Sequence, residues 1–214
     1  MRFTTQEMVC FNSILDGEKI FGVTLEIPSV MIESTYIKET QDLLMNKGIL
    51  DNEAQLTQAG AIPIRILDEY KKADRYIFLN HLRMSLHKDD SVIIISKIDD
   101  EYEFIRQHKT QFILSLFKQI EFLRNAGKPD DQLVEKVSME DFEKFIDDYK
   151  AEEIFVVKKF IENEPVFEKV YCLKNADGTE YDISQSERKN INSWNLKRAI
   201  QELFEIEGEV QKNV

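Results

Sequence analysis

Apolar residues recur at helical spacing near the start of the chain, then alternate or run together in two later stretches, and return to helical spacing after each. Met8, Phe11, Ile14 and Leu15 make the first stripe. It is preceded by Phe3-Thr4-Thr5-Gln6-Glu7, where Thr4 caps the helix, Glu7 returns the bond three residues later and Phe3 staples onto Met8. The helix stops at Asp16-Gly17, and the run Phe21 to Ile27, broken by Gly22 and closed by Pro28, reads as an extended edge segment. A second helix over Ser34 to Asn46 places Ile37, Leu43 and Leu44 inward and closes at Lys47-Gly48. Leu56-Thr57-Gln58-Ala59-Gly60 then opens a third helix, to about Lys72, whose stripe is Ile62, Ile66, Leu67 and Tyr70 and whose Pro63 is tolerated in the first turn.

The pattern then changes period. Tyr76 to Met84 alternates, with Asn80 as its polar interruption, and predicts one strand with a buried face. His87 to Asp90 is a polar turn, and Val92 to Ile95 is apolar on both faces, as a covered central strand requires. After a turn at Asp99-Asp100, Tyr102 to Ile105 makes a third strand and Lys109 to Leu123 a helix with Ile113, Leu116, Phe117 and Ile120 inward. The same order returns later. Ile154 to Val157, continuing to Ile161, is followed by a turn at Asn163-Glu164-Pro165, a strand Val166 to Leu173 and a hairpin signal at Asn175-Ala176-Asp177-Gly178. Tyr181 and Ile183 share one side of the next strand. From Asn192, a closing helix carries Leu196, Ala199, Ile200, Leu203 and Phe204, with a frayed tail after Gly208. Between the two stretches, the acid-rich segment Lys128 to Glu153 carries Met139, Phe142, Phe145, Ile146 and Tyr149 at helical spacing behind a Ser138 cap, which predicts a docked helix.

The expected fold is therefore a single domain, 1–214, of the α/β (α+β) class. It is a quasi-two-fold repeat of a three-strand antiparallel meander plus helix. Half one is 1–127, with its meander at 75–106 and helix at 109–123. Half two is 128–214, with a helix at 138–150, a meander at 153–184 and a helix at 192–206. Burial of Ile93 to Ile95 and of Phe155 to Val157 is the condition this arrangement must meet.

Charge narrows the partners. Forty acidic against 28 basic residues give the 214-residue chain a net charge of -12, a field that repels phosphate backbones and anionic lipid and favours a basic protein. The stretch LLMNKGIL followed by LTQAG resembles the helical part of winged-helix regulators, but Thr35 to Leu50 offers only Lys38 and Lys47 against Glu39 and Asp42. A DNA-binding regulator is thus the least favoured reading, and nucleic acid is not an expected partner. Cys10 and Cys172 lie far apart with no partner at metal-ligand or redox spacing, as expected of reduced thiols in a cytoplasmic protein. No apolar run reaches the length of a membrane span, and no basic segment with an apolar core opens the chain.

Catalytic patterns are missing from the sequence. The glycines never approach a phosphate-cradling spacing, and His81, His87 and His108 are scattered among a strand, a turn and a helix start. Asp89-Asp90 and Asp99-Asp100-Glu101 sit at expected hairpin tips, where turn geometry selects Asp. The reading is of a binder, not an enzyme, with no metal and no cofactor.

Taken together, the Phe3-Thr4-Thr5-Gln6-Glu7 start, the Lys47-Gly48-Ile49-Leu50 then Leu56-Thr57 passage and the two meander-plus-helix stretches resemble the EspG family of type VII (ESX) secretion chaperones, and more closely its EsaE-like relatives beside toxin genes in Gram-positive bacteria. The resemblance implies a central antiparallel sheet flanked by helical bundles and, in function, a cytosolic chaperone or adaptor. Its partner is a helical secreted substrate, a toxin's N-terminal region or a small helical protein, which it keeps soluble and delivers to the machinery, with the secretion ATPase as a further contact. The contact surface expected on this basis is the first hairpin of the second half (Phe160, Val166, Phe167, Tyr171) and the start of the last helix (Trp194, Leu196). The alternative is an immunity protein whose acidic surface plugs a basic toxin.

Overall fold

The computed structural model describes residues 1–25, 34–125, 127–128, 133–174 and 177–206. Among these the chain is mixed α and β, with seven α-helices and a large antiparallel sheet of ten strands. It divides into two compact units. Unit 1 comprises Met1–Ala73, His81–Ser85 and Ile93–Arg106, and unit 2 comprises Asp74–Asn80, Leu86–Val92 and Gln107–Val214.

Unit 1 opens with a short strand, β1 (Arg2–Thr4), that the sequence pattern did not predict; it pairs antiparallel with β5 (Glu101–His108) and sets Phe3 opposite Tyr102. Helix α1 (Thr5–Leu15) starts with the expected capping box: the Thr4 backbone N–H donates to Glu7 Oε2 at 2.7 Å, and the Glu7 N–H donates to Thr4 Oγ1 at 3.3 Å. Phe3 packs edge-on against Phe11 with ring centroids 4.9 Å apart, so the aromatic contact reaches one turn further than the expected staple onto Met8. The second and third helices, α2 (Ser34–Asn46) and α3 (Ala61–Lys71), fall where the periodicity put them, and Pro63 sits in the first turn of α3. Their buried faces agree with expectation in part. Leu44, Leu67 and Tyr70 are buried as expected and Ile64 with them, whereas Ile37, Leu43 and Ile62, and Ile14 on α1, are exposed.

The run from Phe21 does not form a strand over its described part: Phe21 to Leu25 is turn and irregular backbone, and Glu26 to Pro28 lies outside the described residues. Side chains from elsewhere in unit 1 hold it. The Tyr70 hydroxyl donates to the Phe21 carbonyl at 2.9 Å, Arg83 Nε to Gly22 at 3.0 Å and the Tyr102 hydroxyl to Thr24 at 3.0 Å. Lys71 ties the end of α1 to α3 by donating to Asn12 Oδ1 at 2.7 Å, to the Glu18 carbonyl at 3.1 Å and to the Asp16 carboxylate.

The expected single strand Tyr76 to Met84 is two strands, β2 (Arg75–Leu79) and β3 (Leu82–Leu86), with Asn80 at positive φ (48°) between them. Four strands, the other two being β4 (Ser91–Ile98) and β5, therefore precede the next helix instead of three. Ile93, Ile94 and Ile95 are all buried, as their apolar run requires. The expected helix Lys109 to Leu123 is broken where Ile120 turns extended (ψ 114°), giving α4 (Lys109–Gln119) and α5 (Glu121–Arg124).

In unit 2 the strands are ordered β2-β7-β8-β9-β10-β6, where β6 is Val134–Lys136, β7 Ile154–Ile161, β8 Glu164–Lys174, β9 Asp177–Asp182 and β10 Glu187–Ile191. Neither β6 nor β10 was expected: β10 reads ERKNI, too polar to announce itself, and β6 is a fully exposed edge. The β7–β8 turn uses Glu162 (φ 51°) and Asn163 (φ 66°), a two-residue connection whose paired positive φ values match strand twist, so Pro165 falls inside β8 instead of in the turn. The Asn175-Ala176 part of the next hairpin and the tail after Gly208 lie outside the described residues. Phe155 and Val157 are buried and Val156 is half-buried.

Helix α6 (Met139–Ile146) is capped by Ser138 as expected, but it ends before 150 and is followed by a 3-10 turn at Ala151–Glu153. Phe142, Phe145, Ile146 and Tyr149 pack on a sheet-face cluster of Val170, Cys172 and Tyr181, so α6 and the turn after it are docked. The closing helix α7 (Ser193–Leu203) buries Leu196, Ile200 and Leu203, and Phe204 beyond it packs on Phe112 of α4 at 5.3 Å.

Candidate functional site

Within unit 1 an open apolar trough of about 530 Å³ lies between α1, α2, the loop Ile49 to Leu56 and the start of α3. Its origin lies in a second stripe on α1, uncharged throughout. Met8 and Phe11 are buried, while Gln6, Cys10 and Ile14, spaced four residues apart, line the trough together with Val9 and Ser13. From α2, Tyr36, Ile37, Thr40, Gln41 and Leu44 answer at the same spacing. Phe11, Leu44, Ile49 and Ile64 are buried at its base, and Ile14, Ile37 and Leu56 remain 54%, 56% and 45% exposed along it.

Two polar side chains in the walls are already engaged with the backbone. Gln6 Nε2 and Thr40 Oγ1 both donate to the Tyr36 carbonyl, at 3.0 and 2.8 Å. No charged side chain is among the lining residues. Burial, reinforced by the nearby Glu7 carboxylate, pushes the Cys10 thiol above its ordinary pKa, and burial does the same to the Tyr36 hydroxyl. Both groups are therefore neutral at physiological pH and act as apolar wall, because a thiol kept protonated is a poor nucleophile.

A compact turn shapes the loop side. Leu50 and Leu56 form an antiparallel bridge, Asp51 Oδ1 accepts the N–H groups of Glu53 and Gln55 at 2.9 Å each, and Ala54 takes positive φ (59°). Thr57 closes the turn: its hydroxyl donates to the Gly48 carbonyl at 2.7 Å and accepts the Gly60 N–H at 2.9 Å. Gly60 is required by closeness alone, since a Cβ there would lie 2.2 Å from the Ile49 carbonyl oxygen. Lys47 anchors the other end, donating to the fully buried Glu7 carboxylate at 2.7 Å and to the Arg2 carbonyl at 2.8 Å.

The six residues expected from sequence to meet a partner fall in unit 2 and differ in exposure. Leu196 is fully buried and Tyr171 is 4% exposed, so neither has surface to offer in this conformation; their aromatic and aliphatic bulk is spent on the core. Phe160 packs its ring on Phe78 at 4.7 Å. Val166 is exposed, and Phe167 is half-buried with the Lys169 ammonium 5.7 Å from its ring. Trp194 is half-buried under the Arg198 guanidinium, 5.6 Å from the ring centre. A smaller groove of about 190 Å³ brings Phe167 and Tyr171 together with Lys159, Lys169 and Ile200. Lys169 there is engaged by Glu180 at 2.8 Å, and Lys159 by Glu205 at 3.4 Å.

Among the described residues no three His, Cys, Asp or Glu side chains form a metal-binding group, and no helix is long and apolar enough to cross a membrane. No curated protein matches the chain. A family model described as Domain of unknown function (DUF5081) matches residues 1–209, nearly the whole chain, and the chain accordingly belongs to that family.

Proposed function

We propose that the protein is a cytosolic chaperone or adaptor that holds a helical segment of a type VII secretion substrate, a toxin's N-terminal region or its small helical partner, and hands it to the secretion machinery. The observation that carries this reading is the trough: large aliphatic side chains left exposed around an uncharged concavity, on a protein with a strongly acidic surface, are features of a protein-binding site. Two further features support it. The order of four strands followed by a helix occurs twice, over 75–119 and 154–203, in keeping with the quasi-two-fold arrangement the resemblance implies. The charge of -12 also favours a basic helical partner over nucleic acid or anionic membrane.

Affinity capture of the tagged chain from its native host tests the reading. The adaptor retains a full-length exported protein through its helical N-terminal region. Retention of an isolated toxic domain instead, with neutralisation of the toxin in trans, makes the chain an immunity protein.

A further inference from the structure

We propose that the trough between α1, α2 and the Ile49 to Leu56 loop is the seat of a single amphipathic helix whose flanks are basic; the proposal rests on the adaptor reading and names the site and the chemistry it selects. Size and lining set the first condition. A concavity of about 530 Å³ accommodates a few aliphatic side chains, such as the i, i+3 or i+4 and i+7 face of one helix, and the exposed Ile14, Ile37 and Leu56 are disposed to meet them.

Charge sets the second condition. The lining contains no cation, so the carboxylate of an acyl chain or the phosphate of a lipid finds no partner there. The loop that supplies Leu50, Ala54 and Leu56 carries Asp51 and Glu53, both exposed and engaged only in hydrogen bonds within their own turn among the described residues. Around them Lys38 on α2 and the exposed Arg65 on α3 are matched in number by Glu39 and Asp42 on α2, and Lys47, just past α2, is committed to the buried Glu7. An incoming helix thus meets an apolar seat beside two carboxylates with which no cation among the described residues pairs. Lysines or arginines beside its apolar face complete that arrangement, whereas acidic flanks are repelled.

Cys10, in the trough wall, reports occupancy, and Cys172, buried in unit 2, is the internal control. The probe is a synthetic amphipathic peptide of about 18 residues, Leu on one face and Lys on the other, long enough to be helical when bound. Its counterparts carry Glu for Lys, or are replaced by dodecanoate. The Lys peptide is expected to slow alkylation of Cys10 several-fold while leaving Cys172 unchanged. Ile37→Asp, at an exposed position and checked for native circular dichroism, is expected to weaken binding at least about tenfold, and the double variant Asp51→Lys, Glu53→Lys to transfer preference to the Glu peptide. Equal binding of the Glu peptide to the native chain, binding of dodecanoate alone, or no protection of Cys10 overturns the proposal. If the native exported partner is captured equally well by Ile37→Asp protein, the site fails and the adaptor reading stands. If the Lys peptide protects Cys10 but no helical exported protein is captured, the site stands and the adaptor reading fails.

Discussion

Asn80 and Val156 exchange two hydrogen bonds: the Asn80 backbone N–H donates to the Val156 carbonyl at 3.0 Å, and the Val156 N–H donates to the Asn80 side-chain oxygen at 2.7 Å. The side chain thus continues the β2–β7 pairing past the point where the backbone, at positive φ, turns away from it. Its amide nitrogen reaches the Ile154 carbonyl at 3.3 Å as well. Asn80→Ala leaves a strand N–H without this acceptor and places alanine at positive φ. Urea denaturation should report a loss of about 1–3 kcal/mol with an unchanged slope.

Gly60 provides a steric test free of backbone strain, because its φ of -67° is ordinary for any residue. A methyl group at this position strikes the Ile49 carbonyl. Gly60→Ala is expected to cost about 1–3 kcal/mol and to displace Ile49 at the base of the trough, so Cys10 alkylation should change while Cys172 alkylation does not.

Helix α6 covers Cys172 with side chains of which none is fully buried. Phe142 and Phe145 contact the Tyr181 ring at 4.9 and 5.2 Å and make up much of that cover. Truncation by Phe145→Ala should weaken the docking by about 1–3 kcal/mol, accelerating alkylation of Cys172 through local opening without accelerating that of Cys10.

Burial pushes the Cys172 thiol from 9.0 up to about 11. Below pH 9 both folded and unfolded thiols keep their proton, and the folded state loses nothing. Between pH 9 and 11 only the unfolded thiol ionises, so stability falls as pH rises through that window. The full effect is of the order of 3 kcal/mol for a shift of this size. Tyr76, pushed from 10.0 up to about 12 by burial and by the Asp74 carboxylate, extends the decline further into alkali. The expected result is a stability curve for Cys172→Ala that is flatter between pH 9 and 11 than that of the native chain, measured by urea midpoints.

The elements legible in the sequence are those whose signal is local. The Thr4–Glu7 capping box needs four residues to be read, and the apolar run Ile93 to Ile95 announces its own burial. Asn80 was visible as an interruption but not as a turn, because its role depends on Val156, far along the chain. Strand β10 was invisible because ERKNI owes its extended state to pairing with β9 and β6. The trough was not legible for a related reason. Ile14 and Ile37 obey helical spacing, and spacing alone cannot tell a residue facing the core from one facing an open concavity. The extra stripe Gln6, Cys10 and Ile14 was the available signal, since α1 carries more apolar surface than its single buried face can use. Tyr171 and Leu196, expected as contact residues, are buried, because size and apolarity mark the core as readily as an interface.

The most direct measurement of the central claim is export of the helical partner captured with the protein, followed in the native host after deletion of this gene. The adaptor account predicts that export falls and the partner accumulates insoluble in the cell, with both restored by the native chain and not by Ile37→Asp. Export and solubility unchanged by the deletion would contradict it.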